Sequence, residues 1–337
     1  MPLLASIDVG SNTLRLLVAE VRDNRIIDVY SDRKITRLGN KVGQTGRLHD
    51  DNMDASLSAL MEFSSVISKY GVVRTKAVAT SALREASNSD IFIKKAFDSA
   101  GIAIEVISGR KEAELTLAGI LFSFANPKSR TLPTLCPPSP MEGATPYSAL
   151  IVDIGGGSSE WILYRDKDNL DMGSIPVGVI KLAQKHIKTD PVSEEDLNAL
   201  NHEIISVLNN LKYRIRQYID NNTQLIGTAG TFTTIASIDL GLEAYAREKV
   251  HLHKINYARL KDIIKNLMHL PLKERVKVRG LEPGRADLII PGIQFTINVM
   301  DIFGFDELTI NDYGLLEGAL LAIKDSNGKS ISETGKP

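Results

Sequence analysis

The sequence predicts an α/β fold made of two related halves, and three observations lead to this prediction. Segments with strand and helix periodicity alternate along the chain, which is typical of α/β proteins. A strand that ends in aspartate and runs into a glycine turn occurs twice, at residues 8–12 and 153–158. A proline-rich stretch, residues 126–147, separates the two copies. This arrangement indicates two similar domains that face each other across a cleft.

Composition and charge narrow the class of protein. The 337 residues are enough for two domain cores, and 43% hydrophobic with 24% charged residues is ordinary for a soluble protein. With 40 basic and 41 acidic residues the net charge is −1, so we expect no binding to DNA through bulk positive charge. The single Cys136 fits a reducing compartment, and no apolar run approaches the roughly 20 residues that cross a bilayer. We therefore expect a cytoplasmic protein without a membrane partner.

The first 125 residues are predicted to form domain I. Apolar residues recur at helical spacing between positions 51 and 70, which predicts an amphipathic helix. Further helices are predicted at 87–100 and 110–124. The predicted strands of this half are 3–8, 14–21, 26–35, 72–79 and 102–107.

Residues 126–147 contain six of the 13 prolines of the chain and are predicted to be a linker or an exposed loop. A proline-rich docking segment is the alternative. Domain II is predicted to span 148–312, with Ser193 and Asp196 placed like a capping box and residues 326–337 frayed. The predicted helices of this half are 193–218, 229–238, 256–269 and 285–303. Its predicted strands are 149–154, 159–164, 170–176, 224–227 and 307–310.

Both glycine turns offer groups that hold phosphate. Glycine lets backbone N–H groups wrap an oxyanion, and a carboxylate beside them can hold a metal ion. Either turn alone could be an ordinary β-turn capped by aspartate. The candidate phosphate-binding residues are Gly10, Ser11 and Asn12 in the first turn and Gly155, Gly156, Gly157 and Ser158 in the second.

The two turns and further segments resemble the exopolyphosphatase and guanosine pentaphosphate phosphohydrolase family, the Ppx/GppA phosphatases. The supporting segments are residues 79–88, 107–113, 285–287 with Gly292, and 313–318. The resemblance runs from residue 4 to about 322 and is to the short form, which lacks a C-terminal helical domain. It implies an actin-like ATPase (ribonuclease H-like) fold with the site in the interdomain cleft, and domain I completed by a helix at 313–325.

The resemblance also implies roles for individual carboxylates. Glu112 stands where the family places the residue that orients or deprotonates the attacking water. Glu160 would assist the water or hold metal, and Asp8 and Asp153 would bind Mg²⁺ or Mn²⁺. From spacing alone, the favoured interpretation of Glu112 is a solvated carboxylate on a helix face beside Lys111.

Several basic and glycine residues could contact the phosphates. By resemblance Arg84 would clamp phosphate, although spacing alone leaves a surface arginine open. Gly230 opens a predicted helix, as in the nucleotide-contacting segment of the superfamily, or marks a packing turn. A basic stretch, made of Lys273, Arg275, Lys277 and Arg279, could line a polyphosphate path or be a solvated face. We expect no metal at the His251-x-His253 pair, which is predicted to lie on a strand with one ring facing solvent.

The implied reaction is attack by water on the terminal phosphoryl group of polyphosphate, which releases orthophosphate. Hydrolysis of guanosine pentaphosphate to the tetraphosphate, a stringent-response reaction, is the close alternative. An ATP-dependent kinase and a non-catalytic sensor of guanosine tetraphosphate remain open. Leu316 and Lys111, where family members often have arginine and an acidic residue, make the sensor plausible. A homodimer also remains open.

Overall fold

The structure of the chain, a computed structural model, describes residues 2–22, 25–125, 148–165 and 168–325. The predicted linker at 126–147 and the predicted frayed tail at 326–337 lie outside the described residues. The described chain divides into two units. The first unit contains residues within 2–38, 47–125 and 314–325, and the second contains 39–46 and 148–313.

The first unit is built on a mixed sheet that shows five strands in the described chain, in the order β3-β2-β1-β4-β5. Strands β1 to β3 form an antiparallel meander, and β4 and β5 continue the sheet parallel to β1. The central strand β1 is buried along its whole length. The strands are β1 Leu4–Val9, β2 Thr13–Arg22, β3 Arg25–Ile35, β4 Arg74–Ala79 and β5 Ile104–Val106.

The second unit repeats this topology. Its sheet has the order β10-β11-β9-β6-β7-β8 among the described strands. Here β6 to β8 form the antiparallel meander and β9 and β11 run parallel to β6, whereas β10 is an added antiparallel edge. The repeat confirms the prediction of two similar α/β domains. The strands are β6 Ser148–Ile154, β7 Ser159–Arg165, β8 Asp168–Ile175, β9 Thr223–Thr228, β10 Lys254–Asn256 and β11 Glu307–Ile310.

The predicted helices are found close to their predicted positions, but the described helices at 42–45, 81–85, 179–186, 247–250 and 272–275 were not predicted. The core of the second unit includes the helix Ile289–Phe303, which is apolar on nearly all sides and is therefore buried almost throughout. In chain order the described helices are α1 Val42–Thr45, α2 Asp50–Lys69, α3 Ser81–Glu85, α4 Ser89–Ala100, α5 Gly109–Ala125, α6 Val179–His186, α7 Glu194–Ile215, α8 Ala229–Asp239, α9 Arg247–Val250, α10 Tyr257–Met268, α11 Leu272–Arg275, α12 Ile289–Phe303 and α13 Leu315–Asp325. Within these helices no segment combines the length and the apolar character needed to span a membrane.

The predicted N-terminus of α7 is confirmed, but only half of the capping box forms. The Ser193 side chain accepts a hydrogen bond from Asp196 N at 3.1 Å. The Asp196 carboxylate instead accepts hydrogen bonds from Lys188 N and from the backbone and hydroxyl of Thr189. The aspartate therefore ties the preceding loop to the start of the helix.

Two predictions about local structure were wrong. The strand predicted at residues 251–253 begins only at Lys254, because Leu252 has a positive φ of 64° and ends the extended run. His253 does not face solvent freely, since its Nε2 lies 2.7 Å from Asp239 Oδ2. The helix predicted to begin at residue 285 begins at Ile289, because a separate 3-10 turn forms at Pro283–Arg285.

Candidate functional site

The two glycine turns have the same geometry in their separate units. Gly10 N donates to Thr13 O at 3.2 Å, and Gly155 N donates to Ser158 O at 3.0 Å. A Cβ at either glycine would lie 2.9 Å from that same carbonyl oxygen, closer than real Cβ contacts allow. Each turn therefore requires glycine for steric reasons.

The residue opposite the aspartate differs between the two turns. In the antiparallel pairs, Asp8 faces Arg15 and Asp153 faces Glu160. Directly opposed residues on neighbouring strands project from the same face of the sheet. The first turn therefore carries an ion pair at the position where the second carries two carboxylates.

In the first unit, Asp8 is buried and bound on one oxygen. Arg15 donates to Asp8 Oδ2 from Nε at 3.0 Å and from Nη2 at 2.6 Å. Asp8 Oδ1 is buried with no hydrogen-bond donor among the described residues, although such an acceptor is costly to leave unsatisfied. Ser11 and Asn12 are buried in the same turn, and Asn12 Nδ2 donates to Thr13 Oγ1 at 3.3 Å. Sequence reasoning missed Arg15, although its position after the turn could have been read from hairpin register.

The structure brings Arg84 and Glu112 together. Arg84 Nη1, from α3, donates to Glu112 Oε2 at 2.7 Å and to the carbonyl of Ile107 at 2.9 Å. Glu112 lies in the first turn of α5 and is only 7% exposed. It is therefore not a solvated carboxylate on a helix face, and Arg84 is not an isolated surface arginine.

In the second unit, Glu160 is 1% exposed and is held by two serine hydroxyls. Ser158 Oγ donates to Glu160 Oε1 at 2.9 Å, and Ser174 Oγ donates to the same oxygen at 2.7 Å. Ser158, predicted as a phosphate ligand, thus also contacts the second carboxylate. Sequence reasoning missed Ser174, because its place opposite Glu160 depends on the register of β8 beyond a bulge.

The loop that contains Gly155, Gly156 and Gly157 lies against the N-terminus of α6. Val179 N donates to Gly155 O at 3.0 Å, and Ile180 N donates to Gly156 O at 2.9 Å. The preceding Gly178 packs so closely that a Cβ there would lie 2.5 Å from the Gly156 carbonyl. The conformation of the loop therefore depends on Gly178, a residue that the sequence motifs did not single out.

The predicted helix start near Gly230 is also packed on this side of the second unit. A Cβ at Gly230 would lie 2.3 Å from Arg285 Nη1, so the guanidinium rests against the glycine backbone. Arg285 Nε is 3.2 Å from Glu282 Oε2. Thr231 Oγ1 donates at 2.8 Å to the carbonyl of Ile154, the residue before the glycine loop. A hydrogen bond thus joins the residue after Gly230 to the residue before the second glycine loop.

The predicted basic stretch is not a continuous cationic surface. Arg275 is 3% exposed and donates to the carbonyls of Leu267, Leu270 and Ala286. Burial lowers the pKa of the Arg275 guanidinium, against the opposing effect of Asp190 and Asp287. Arg275 is therefore a structural residue, and neither of the two alternatives, a polyphosphate path or a solvated face, applies to it.

Asp153 and Glu160, on the two strands that flank the second turn, are carboxylates that could hold a hard cation. Asp153 and Glu160 are directly opposed on one face of the sheet, an arrangement that is unfavourable unless a positive charge lies nearby. In the part of the chain that the structure describes, no group of three or more His, Cys, Asp or Glu side chains could hold a metal ion. Any cation there would be held by few protein ligands, as is usual for Mg²⁺ bound together with phosphate.

Comparison with known proteins adds independent findings. The model of the family described as "Ppx/GppA phosphatase family" matches residues 17–133 and 144–327. The chain is 27% identical to exopolyphosphatase 2 of Mycobacterium tuberculosis, over 95% of this chain and 98% of that protein. It is 32% identical to a bifunctional 3-dehydroquinate synthase/phosphatase of Fusobacterium nucleatum, over 95% of this chain but only 46% of that protein. The chain thus spans about half the length of the Fusobacterium relative.

A solved structure shows the same fold. The crystal structure of an exopolyphosphatase from Cytophaga hutchinsonii aligns with a TM-score of 0.83 at 28% identity. The alignment covers 96% of this chain and 98% of that chain.

Proposed function

Because the chain belongs to the Ppx/GppA phosphatase family, we propose that it is an exopolyphosphatase that releases terminal orthophosphate from inorganic polyphosphate. The similarity to exopolyphosphatase 2 supports this choice, since it extends over nearly the whole length of both proteins. The observation that carries the proposal is the buried, ion-paired carboxylate of Glu112.

Glu112 would act as the general base. Its burial limits competing solvent, and the Arg84 guanidinium fixes one carboxylate oxygen at 2.7 Å. The base would accept a proton from water while the water oxygen bonds to the terminal phosphorus and the bridging P–O bond breaks. Base assistance of this kind contributes about 10²–10⁴-fold in rate.

The glycine turns would bind the charged phosphate oxygens. Backbone N–H groups that are fixed before the reaction stabilise charge as it moves onto the leaving phosphate. We assign this role to Gly10, Ser11 and Asn12 in the first unit and to the loop of Gly155 to Ser158, with Gly230, in the second. Arg285 joins this set because its guanidinium rests on Gly230.

We propose Mg²⁺, or Mn²⁺ in its place, as the cofactor. In the second unit, Asp153 and Glu160 are opposed carboxylates, whose oxygens fit a hard cation. In the first unit, considered by itself, Asp8 Oδ1 is a buried acceptor without a protein donor among the described residues. When bound, the cation would supply positive charge to the phosphate oxygens.

The proposal is tested by phosphate release from purified protein with Mg²⁺, comparing short polyphosphate, long polyphosphate and guanosine pentaphosphate. Glu112→Gln should lower turnover by about 100-fold or more, because glutamine keeps the shape but cannot take the proton. Glu114→Gln is the matched control, since Glu114 is an exposed residue on the same helix that pairs with Lys111.

Each contrary outcome would refute one part of the proposal or favour a different function. Wild-type turnover by Glu112→Gln would refute the assigned base. Preferred turnover of guanosine pentaphosphate would change the substrate, and phosphate transfer from ATP to an acceptor would indicate a kinase. Tight binding of guanosine tetraphosphate without any turnover would indicate a sensor.

A further inference from the structure

The carboxylate of Glu160 is held by two donors, one in the glycine turn and one on a neighbouring strand. Ser158 belongs to the turn two residues before it, whereas Ser174 lies on the neighbouring strand β8, directly opposite Glu160. Both hydroxyls donate to the same oxygen, Oε1, at 2.9 and 2.7 Å. We propose that Ser174 is a positioning residue, whose hydroxyl fixes the orientation of the Glu160 carboxylate for cation binding and turnover. This inference rests on the proposed function for its activity readout.

A carboxylate needs such a restraint because its last torsion is soft. The terminal torsion of glutamate has broad, nearly two-fold minima, so burial alone does not fix the plane of the carboxylate. One donor leaves the carboxylate free to rotate about that hydrogen bond, whereas two donors, one from the turn and one from β8, restrict its plane. The restraint matters here because Asp153 lies beside Glu160 on the same face, and like charges would otherwise turn the two groups apart.

The position of Ser174 is itself fixed by packing of the edge strand β8. A Cβ at Gly173 would lie 3.1 Å from the ring of Trp161, so the indole lies across the glycine backbone. Arg214 covers the same ring with its guanidinium carbon 5.1 Å from the centroid, and it donates to both carboxylate oxygens of Asp171. These contacts stabilise the register of β8 in which Ser174 lies opposite Glu160.

Ser174 is exposed on its strand, although the carboxylate that it contacts is buried. Removal of its hydroxyl should therefore leave the fold intact. The competing explanation is that the hydrogen bond only attaches β8 to the sheet. That role predicts a lower melting temperature with unchanged turnover and unchanged cation affinity.

The test uses the full chain with Ser174→Ala, Ser174→Thr and the control Ser31→Ala. Ser31 is an exposed serine on β3, the equivalent third strand of the meander in the first unit. We would measure kcat and KM on polyphosphate, the melting temperature, and Mn²⁺ affinity without substrate by electron paramagnetic resonance. The single Trp161, next to Glu160, gives a second, fluorescence-based titration of the same cation.

Ser174→Ala should lower kcat about ten-fold with KM within about two-fold, and should weaken Mn²⁺ binding several-fold, because hydrogen bonds to charged groups are strong. Ser174→Thr keeps the hydroxyl and should restore both quantities. Wild-type kcat together with wild-type Mn²⁺ affinity in Ser174→Ala would overturn the inference, as would absence of Mn²⁺ binding to the wild-type protein. If the wild-type protein binds Mn²⁺ but does not hydrolyse polyphosphate, the proposed function fails, and the Mn²⁺ titration decides the role of Ser174 separately.

Discussion

Replacement of Gly178 by alanine tests whether the second glycine loop is held by the start of α6. Gly178 has φ −138° and ψ 174°, an extended conformation that alanine adopts without strain. The cost must therefore come from the added methyl group. That methyl would lie 2.5 Å from the carbonyl carbon and oxygen of Gly156 and 2.6 Å from the carbonyl oxygen of Gly155.

The size of the effect follows from these distances. To restore ordinary van der Waals contact, the loop would have to move by roughly 1 Å, which weakens the hydrogen bonds from Val179 N and Ile180 N. A misplacement of about 1 Å in a reacting constellation costs on the order of 10²-fold in rate. Overpacking of this kind also lowers the free energy of unfolding by about 1–3 kcal/mol. We therefore expect Gly178→Ala to remain folded and to lose about 100-fold in kcat/KM.

The assay pairs polyphosphate turnover with urea unfolding of the same preparation. Gly43→Ala is the matched control, because a Cβ there meets only the side chain of Lys181 at 3.6 Å or more, which is ordinary contact. The control should keep wild-type turnover. Wild-type kcat/KM in folded Gly178→Ala would show that the position of the loop does not limit the reaction.

Two further predictions concern stability. Burial raises the pKa of Asp196, but hydrogen bonds from Lys188 and Thr189 outweigh it and leave the pKa below its usual value. The ionised form thus stabilises the fold above about pH 4, so Asp196→Asn should cost about 1–2 kcal/mol near pH 7 and progressively less in acid. Urea unfolding across pH checks this, and a difference independent of pH would contradict it. Arg275→Lys should cost about 2–3 kcal/mol, because three carbonyls share its guanidinium. Lys277→Ala, at an exposed position, should unfold like wild type, and equal unfolding of both variants would argue against a structural role for Arg275.

The strand and turn pattern of the fold could be read from the sequence, because its causes are local. Short apolar runs ended by turn residues placed β1, β6 and β11 within a residue or two. The two glycine turns could be recognised in the sequence because only glycine fits sterically at Gly10 and Gly155. The start of α7 was visible for a similar reason, because Ser193 caps it through a side chain three residues away.

The candidate site could be predicted only in part. Spacing alone gave no reason to separate Glu112 from any solvated glutamate, and family resemblance was needed to single it out. Ser174 and Gly178 were not predicted, since neither forms a motif and each acts through a contact outside its own segment. The basic stretch forms a visible sequence pattern, but it does not form a continuous cationic surface. The reason is that Arg275 is buried, which the sequence pattern does not show.

By itself, the sequence determined the positions of most strands, turns and long helices, because these elements depend on residues within a few positions of each other. Tertiary structure alone decided which side chains contact the carboxylates of the site. Arg84 meets Glu112 across 28 positions, and Ser174 meets Glu160 across 14, through strand register and helix packing. The chemistry proposed for this protein depends on those pairings, because a carboxylate becomes a base or a cation ligand only when its neighbours fix its orientation and exclude water.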